Sequence, residues 1–375
     1  MGQIKVAMVG FRGLPGVQGG VETHVENLCP LLAERGYEVH VLTRSSYQPT
    51  LPGSKWNGVH VHRLWAPKIR SLEAIVHTFL GVIRAAVLGA EVVHIHAVGP
   101  AIVVPLARLL GLKVVVTHHG PDYERQKWGG MAKSVLKLGE RLGMRYAHAR
   151  IAISPVIRDL VHVKYNRECS VIPNGVLLPK LALTDAALRS FNLESGKYIL
   201  LVSRLVPEKR HLDLIEAYRR ASLSEWKLVL VGSADHPDAY SEKVQEVGKA
   251  TPGVVMAGFC TGQILAELYT NAGLFVLPSS HEGLPIALLE ALSYGLAVLA
   301  SDIAANKAVG LDGDCYFRLG DIGQLANKLV ERKNVLLGEH ERELRRRWVS
   351  ERYSWPEIAS QTVTIYESIL NDRRA

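Results

Sequence analysis

The feature that most constrains the fold is a regular alternation of short β-rich runs with longer helical stretches along all 375 residues. Strands separated by helices predict parallel sheets that are covered by helices. A chain of this length is expected to form about two domains. The predicted strands fall into an early and a late set: Ile4–Val9, Glu38–Leu42, Val59–Leu64, Val92–His96, Lys113–Thr117, Arg150–Ile153 and Ser170–Ile172, then Tyr198–Val202, Lys227–Val231, Val254–Ala257, Leu274–Leu277 and Ala297–Ala300. The fold class is therefore α/β, with two parallel sheets.

The two strand sets predict two Rossmann-like domains that meet within residues 173–196. This stretch is bounded by turn residues at both ends, Pro173-Asn174-Gly175 and Glu194-Ser195-Gly196. We place the first domain at 1–180 and the second at 181–352. Residues 353–375, which include a helical run after Trp355-Pro356, are predicted to form a closing helix.

Composition narrows the class of protein. Apolar residues make up 48% of the chain, which is enough for two cores and argues against disorder. The four cysteines show no CxxC pairing, which suits a reducing cytoplasm and offers no zinc site. The first residues are typical of a buried strand rather than a signal peptide, and no run of 18 uncharged apolar residues predicts a membrane span. We therefore expect a cytoplasmic protein.

Charge is distributed unevenly between the two halves. Residues 1–180 hold 22 Lys and Arg against 11 Asp and Glu, whereas residues 181–375 hold 22 against 25. The basic half should face something anionic: phospholipid head groups, a lipid-diphosphate acceptor or nucleic acid. Within it, Arg125–Arg150 carries seven Lys and Arg, one Glu and interleaved apolar residues including Trp128. This pattern suits a helix on the inner face of an anionic membrane, or an ordinary solvated helix face.

The most specific motif is the segment at 281–290, which follows the predicted strand at Leu274–Leu277. Pro285 favours a helix start, so Glu282 belongs to a loop and Glu290 to the helix. Amides around Gly283 and Leu284 would cap the positive end of that helix and suit a diphosphate. Two carboxylates flanking the phosphates could hold the hydroxyls of a sugar and of a ribose. An acidic helix start with no ligand is the plain alternative.

Other polar residues follow predicted strands. Arg204 and Lys209 come after Tyr198–Val202, and a guanidinium with an ammonium suits two phosphates. Thr117 to Asp122 follow the fifth strand of the first domain, where ligands of parallel sheets bind. Adjacent residues of a strand point in opposite directions, which disfavours a metal site made of the tandem His118 and His119. His94 and His96 point the same way one strand over, either toward an acceptor or into the core.

The loop after the first strand is rich in glycine. Its spacing, Gly10-x-x-Gly13-x-x-Gly16, departs from the dinucleotide fingerprint, and Leu42-Thr43-Arg44 offers no acid for a ribose. An NAD site is therefore disfavoured. The backbone of such a loop can still approach another phosphate ligand closely.

Together these motifs resemble those of the family-4 retaining glycosyltransferases, which have the GT-B fold of two Rossmann-like domains facing a cleft. The resemblance implies that the C-terminal helix crosses back to the first domain. It also implies that Gly19 and Gly20 lie against the donor phosphates and that His119 is the histidine of the family's Thr-x-His-Gly. Ser203 to Arg210 resembles Gly-Arg-Leu-x-x-x-Lys-Gly, with Ser203 and Arg210 in place of glycines. Gly258-Phe259 stands where relatives grip the base. Arg12-Gly13-x-Pro15 also resembles a rhamnosyltransferase-like subgroup.

We therefore predict a metal-independent, retaining enzyme that moves a sugar from a nucleotide diphosphate sugar to a hydroxyl of a glycan or lipid-linked acceptor, in bacterial surface polysaccharide synthesis. The predicted catalytic residues are His119, Arg204, Lys209 and Glu282; the predicted donor contacts are Gly19, Gly20, Arg204, Lys209, Phe259, Gly283, Leu284 and Glu290; and the predicted acceptor-side residues are His94, His96, His118 and Asp122. No cofactor, metal or nucleic acid is expected. The alternatives are a nucleotide-sugar epimerase of the same architecture and a basic membrane- or nucleic-acid-binding module with an inactive pocket.

Overall fold

The computed structural model describes residues 3–48, 50–51, 53–67, 73–124, 129–234, 237–333 and 337–371. The chain divides into two compact units. The first comprises Met1–Gly175 together with Trp355–Ala375, and the second comprises Val176–Ser354. Each unit is an α/β structure with its own sheet.

The first unit is built on an eight-stranded sheet in the order β3-β4-β2-β1-β5-β6-β7-β8. All neighbouring strands are parallel except β3 and β4. The strands are β1 (Lys5–Val9), β2 (Glu38–Arg44), β3 (Lys55–Trp56), β4 (Val59–Leu64), β5 (Val92–His96), β6 (Lys113–His118), β7 (Ala149–Ala152) and β8 (Ser170–Val171).

Helices pack on this sheet because their apolar residues recur at helical spacing. The first one buries Val25, Leu28, Cys29 and Leu32 in the core of the unit. The helices between these strands are α1 (Gly20–Glu34), α2 (Glu73–Val87), α3 (Val104–Leu109), α4 (Gly130–Tyr146) and α5 (Pro155–Tyr165).

The second unit is built on a six-stranded, fully parallel sheet in the order β11-β10-β9-β12-β13-β14. Its strands are β9 (Tyr198–Val202), β10 (Lys227–Val231), β11 (Val254–Gly258), β12 (Leu274–Leu277), β13 (Val298–Ser301) and β14 (Tyr316–Phe317). Its helices are α6 (Ala186–Ser190), α7 (His211–Ala221), α8 (Ala239–Ala250), α9 (Gly262–Thr270), α10 (Ile286–Ser293), α11 (Ala304–Lys307), α12 (Ile322–Arg332) and α13 (Glu339–Arg352).

The C-terminal helix α14 (Trp355–Asn371) belongs to the first unit, as predicted. It buries Trp355, Ile358, Tyr366 and Ile369 in the same core as α1. The hydroxyl of Tyr366 lies 2.7 Å from Nδ1 of His94 on β5, so a polar contact joins this helix to the sheet. Among the described residues, no helix is both long enough and apolar enough to cross a membrane.

The order of each sheet reverses at one place, between β1 and β5 in the first unit and between β9 and β12 in the second. Loops diverge at such a reversal, and ligands of parallel sheets bind beyond the carboxyl ends of the strands there. The loops that follow β1, β9 and β12 contain the motifs found in the sequence. The strand order therefore points to the same loops that the sequence motifs indicate as ligand-binding segments.

The twelve predicted strands all appear, with ends that shift by a residue or two. Among the described residues, β3 and β14 were not predicted, because two residues carry too little pattern to detect; β8, which also has two residues, lies within a predicted segment of three. In Asp312-Gly313-Asp314, which resembles the metal motif of a different fold, Asp312 caps a short 3-10 helix at Gly313–Cys315 and the other two residues lie within it.

Candidate functional site

The centre of the candidate site in the second unit is an ion pair between Lys209 and Glu282. Lys209 Nζ lies 2.5 Å from Glu282 Oε1, and the two side chains are only 17% and 11% exposed. Lys209 follows β9 and Glu282 follows β12, so the pair sits at the reversal point of the sheet. The structure thus brings together two residues that are 73 positions apart in the sequence.

Backbone contacts hold these two loops in register. The amide of Ser280 donates to the carbonyl of Glu208 at 2.8 Å, which ties the loop after β12 to the 3-10 turn at Pro207–Lys209. Arg210 then adopts a left-handed conformation with φ of 51°, and α7 begins at the next residue. Arg210 therefore adopts a conformation that favours glycine, which is the residue that the family pattern named above implies here.

A second backbone contact brings the loop after β10 close to the loop after β9. Gly232 has φ of +134°, and a Cβ built on it would lie 1.9 Å from the carbonyl oxygen of Ser203. The amide of Gly232 donates to the carbonyl of Gly258 at 2.7 Å. Phe259, the next residue, is 50% exposed at this edge of the sheet.

Helix α10 begins one residue later than predicted. Pro285 is the N-cap rather than the first helical residue, and its carbonyl accepts hydrogen bonds from the amides of Leu288 and Leu289. The amides at the start of a helix have no partner within it. Gly283 and the buried Leu284 precede the cap, so the positive end of the helix lies directly after the loop that carries Glu282.

Glu290 lies on α10, one turn from its end, and accepts a hydrogen bond from the hydroxyl of Tyr269 at 3.1 Å. Loss of solvent raises the pKa of Glu290 to about 7, and the tyrosine hydrogen bond only partly opposes this shift. Tyr269 in turn stacks on Tyr294 with ring centroids 4.9 Å apart. A carboxyl group whose pKa lies near 7 is partly ionised at neutral pH. Its ionised form can accept a hydrogen bond from a ligand hydroxyl. Arg204, the remaining predicted residue of this unit, follows β9 and is partly buried.

In the first unit the glycine-rich loop is held by an ion pair that the sequence analysis did not find. Arg12 Nε lies 3.0 Å from Glu22 Oε1, and the Arg12 amide donates to the same oxygen. Gly19 has φ of +152°, which favours glycine, and a Cβ there would lie 2.0 Å from the Glu22 carboxylate, which would have to move. Gly19 is the N-cap of α1 and Gly20 its first residue. Both predicted glycines therefore lie at a helix amino end that can face an anion.

Three imidazoles gather beyond the carboxyl ends of β5 and β6. His119 Nε2 lies 3.1 Å from Nδ1 of His96. The ring of His24, from α1, is 5.1 Å from that of His119, centroid to centroid. Burial lowers the pKa of His24 to about 4 and, with the neighbouring imidazoles, holds those of His96 and His119 well below their usual value. These rings are neutral at pH 7, so they can donate or accept hydrogen bonds without adding charge.

The other predicted acceptor-side residues are His94, His118 and Asp122. His94 is fully buried. Its Nδ1 lies 2.7 Å from the Tyr366 hydroxyl, and its Nε2 lies 2.6 Å from the Thr117 hydroxyl. His118 is also fully buried and points away from His119, as the strand alternation predicts; its Nε2–H donates to Glu140 at 2.9 Å. Asp122 is partly buried in a 3-10 turn that follows β6. The structure thus brings His96 and His119 together, whereas His94 and His118 make internal hydrogen bonds.

In the part of the chain that the structure describes, the three imidazoles also form a group that could hold a metal ion. His24, His96 and His119 each offer a ring nitrogen, and these atoms lie within 4.8 Å of one another. His24 Nδ1 lies 3.0 Å from Oδ1 of Asn174, which leaves Nε2 with a lone pair. Neutral imidazoles with a hydrogen bond behind them are the ligands that Zn²⁺ favours. The expectation of a metal-free enzyme stays a prediction.

Sequence reasoning missed three features of these sites. The Arg12–Glu22 pair had a signal, since opposite charges flank the glycine-rich loop. Glu140 had one too, as the lone acid of a basic helix. His24 had none, because nothing in its neighbourhood along the chain shows that it would meet His96 and His119.

Comparison with known proteins agrees with this geometry. The family description "Glycosyl transferase 4-like domain" matches residues 19–175, and "Glycosyl transferases group 1" matches residues 186–353. The chain belongs to the family-4 glycosyltransferases, which have the GT-B fold, and it is a glycosyltransferase of group 1.

Individual relatives match along nearly the whole chain. Alpha-maltose-1-phosphate synthase of Mycobacterium tuberculosis is 27% identical, over 98% of this chain and 100% of its own length. Phosphatidyl-myo-inositol mannosyltransferase of Mycobacterium leprae is 26% identical over 94% of each chain. The structure of Anabaena HepE in complex with UDP-glucose has a TM-score of 0.78 and 16% identity, and covers 98% of this chain and 100% of its own. This last match concerns the fold alone.

Proposed function

We propose that this enzyme transfers a hexose from a nucleotide diphosphate sugar to a hydroxyl of a glycan or lipid-linked acceptor, with retention of anomeric configuration and without a metal. The observation that carries the proposal is the Lys209–Glu282 pair at the reversal point of the second sheet. Two groups of opposite charge, next to a helix amino end, suit a substrate that combines a diphosphate with sugar hydroxyls.

In the proposed reaction the bond between the anomeric carbon and the diphosphate oxygen breaks. The acceptor hydroxyl oxygen bonds to the same carbon on the same face, and its proton passes to the departing diphosphate. The protein's main contribution is then to stabilise the charge that develops on that diphosphate. We assign this role to Arg204, Lys209 and the amides that begin near Gly283. Glu282 would hold hydroxyls of the sugar and Glu290 those of the ribose.

The first unit is proposed to bind the acceptor and to contact the transferred sugar through His119. The neutral state of its imidazoles supports this assignment, because a neutral ring can accept from one hydroxyl and donate to another. Gly19 and Gly20 would approach the donor phosphates at the start of α1. Base contacts are assigned to the loop at Phe259. We place the enzyme on the cytoplasmic side, in bacterial surface polysaccharide synthesis. A lipid-linked acceptor is supported by one relative, which is named a phosphatidyl-myo-inositol mannosyltransferase.

The test is a thermal-shift screen of the whole chain against UDP-, GDP-, ADP- and dTDP-sugars, followed by assay of the donor that raises the melting temperature. With that donor and an acceptor found by product analysis, proton NMR of the product reports the anomeric configuration. An inverted product would contradict the mechanism. A panel in which no nucleotide sugar stabilises the protein would contradict the donor assignment.

The ion pair allows a sharper test of individual roles. Lys209→Ala should weaken binding of the bare nucleoside diphosphate, because a cation is removed. Glu282→Gln should leave that binding equal or tighter, because Lys209 is released, yet it should lower kcat with the nucleotide sugar. Lys243→Ala, in an exposed pair with Glu246 on α8, is the matched control and should change neither. Equal losses of diphosphate affinity in both site variants would remove the separate roles.

A further inference from the structure

A groove of about 300 Å³ on the first unit lies outside the candidate site and is lined almost entirely by cations. Two of its side chains come from the last turns of α4, and the others from the end of α5 and the residues just after it. The lining is Arg141, Arg145, Lys164, Tyr165 and Arg167. Four positive side chains and one phenol thus surround a space of the size that small ligands occupy.

Helix stability accounts for only part of this arrangement. Arg145 and Lys164 lie in the last turns of α4 and α5, where a cation is favourable, but Arg141 and Arg167 lie outside them. Arg141 and Arg145 are exposed and stand four residues apart on α4, where like charges repel by a few tenths of a kcal/mol. Among the described residues, no carboxylate forms an ion pair with Arg141, Arg145 or Arg167. The groove therefore keeps about three uncompensated positive charges.

The buried carboxylate of Glu140 holds Lys164, the fourth cation of the groove, in place. Glu140 is fully buried and accepts hydrogen bonds from Lys164 Nζ at 2.7 Å and from the Tyr165 hydroxyl at 2.5 Å. It also accepts from the Tyr123 hydroxyl and from His118. Burial alone would raise the pKa of Glu140, but the bonds from His118, Lys164 and Tyr165 lower it to about 2. Lys164 and Tyr165 are therefore held in place before any ligand arrives, which reduces the entropy lost on binding.

We propose that this groove binds a phosphate-bearing anion. Arginine and lysine together recognise phosphate oxygens, the guanidinium through paired N–H groups and the ammonium as a point charge. Two sources share this chemistry: the head group of an anionic phospholipid and a soluble phosphate compound. The exposed face of α4 favours the first source. It continues from Arg141 and Arg145 through Leu138 and Lys137 to Met131, which is 86% exposed, and it carries no acidic residue. The earlier interpretation of Arg125–Arg150 as a membrane face includes 125–128, which lie outside the described residues.

The experiment uses the full chain in three forms: wild type, Arg141→Gln/Arg145→Gln, and a control, Arg189→Gln/Arg220→Gln. The control removes two exposed arginines of the second unit and changes the net charge equally. One arm measures sedimentation with phosphatidylcholine vesicles that contain or lack phosphatidylglycerol. The other measures binding of inorganic pyrophosphate by calorimetry, with Lys209→Ala added to every form so that the proposed donor site contributes weakly and equally in all three. Failure of the donor proposal therefore leaves this test intact.

The expected result is binding by the wild type and the control in at least one arm, with an affinity loss of about tenfold or more in Arg141→Gln/Arg145→Gln. Affinity should fall as salt is raised, since the attraction is screened. Binding only to phosphatidylglycerol vesicles assigns the site to a lipid head group, and binding of pyrophosphate assigns it to soluble phosphates as well. Arg167→Gln, on the opposite wall, should reproduce the loss if the double variant folds poorly. The proposal is overturned if neither probe binds, or if the groove variants bind as well as the control.

Discussion

The two candidate sites lie on the same kind of sheet, but the side chains of one are neutral and those of the other are charged. In the first unit the residues beyond β5 and β6 are imidazoles whose pKa values burial lowers, so the site is neutral. In the second unit the residues beyond β9 and β12 are a salt bridge, and the nearby carboxyl of Glu290 has its pKa raised to about 7. The difference indicates a division of labour, in which charged groups meet a charged diphosphate and neutral donors meet sugar or acceptor hydroxyls.

The largest expected effect is on the charged side of this comparison. Lys209→Ala should lower kcat by about 100- to 1,000-fold, as loss of one group that stabilises developing charge does in other enzymes. The free energy of unfolding should change far less, since Lys209 is partly exposed and makes one ion pair. Steady-state kinetics and urea denaturation of the same preparation measure both. A parallel loss of folding and activity would show that the ion pair is structural.

The next prediction concerns a feature that both units share: a glycine that lets the backbones of two loops approach closely. Gly10→Ala places a Cβ 2.2 Å from the carbonyl oxygen of His96, and Gly232→Ala places one 1.9 Å from that of Ser203, both at positive φ. Each should lower the free energy of unfolding by about 3 kcal/mol, because strain and a backbone clash add together. Gly130→Ala, which meets nothing within 4 Å, is the control and should be close to neutral. Wild-type stability in either site variant would mean that the close approach of these loops is not maintained in solution.

A third test uses pH, because the two sites should respond with opposite sign. The pKa of Glu290 is raised, so the stability it contributes is present below about pH 4.5 and is lost as pH rises through 7. The pKa of His24 is lowered to about 4, so its contribution is present above about pH 6.5 and is lost as pH falls toward 4. Each shift corresponds to at most about 3.5 kcal/mol, at about 1.4 kcal/mol per pKa unit.

Hydrogen exchange, corrected for its intrinsic pH dependence, resolves the two responses by peptide. Protection of α10 should fall between pH 4.5 and 7, and that of α1 should fall between pH 6.5 and 4. Glu290→Gln and His24→Phe should each flatten only their own profile. Profiles that move together in both helices would remove the contrast between the sites.

The smallest expected effect is that of chelation. If the imidazoles act as hydrogen-bonding groups, EDTA should leave the rate of sugar transfer unchanged within about twofold, and added Zn²⁺ should inhibit by occupying His24, His96 and His119. The assay measures initial rates with EDTA and after readdition of Mg²⁺ or Zn²⁺. A rate abolished by EDTA and restored by Mg²⁺ would contradict the metal-free mechanism.

The sequence by itself determined the α/β class, the twelve predicted strands and the candidate residues of the second unit, and the family resemblance implied the return of the C-terminal helix. Strand periodicity and turn chemistry are local, and Arg204, Lys209, Glu282 and Glu290 lie in motifs whose spacing is itself the signal. These properties need no knowledge of which strand lies beside which.

Only the tertiary structure decided which of those residues meet. The Lys209–Glu282 pair follows from the adjacency of β9 and β12, and the histidine cluster follows from α1 passing over the ends of β5 and β6. The same is true of Glu140, whose four partners come from three different elements. Contacts between distant segments depend on strand order and on burial, and burial then sets the charge state of each imidazole and carboxyl group. Neither property is encoded in the spacing of residues along the chain.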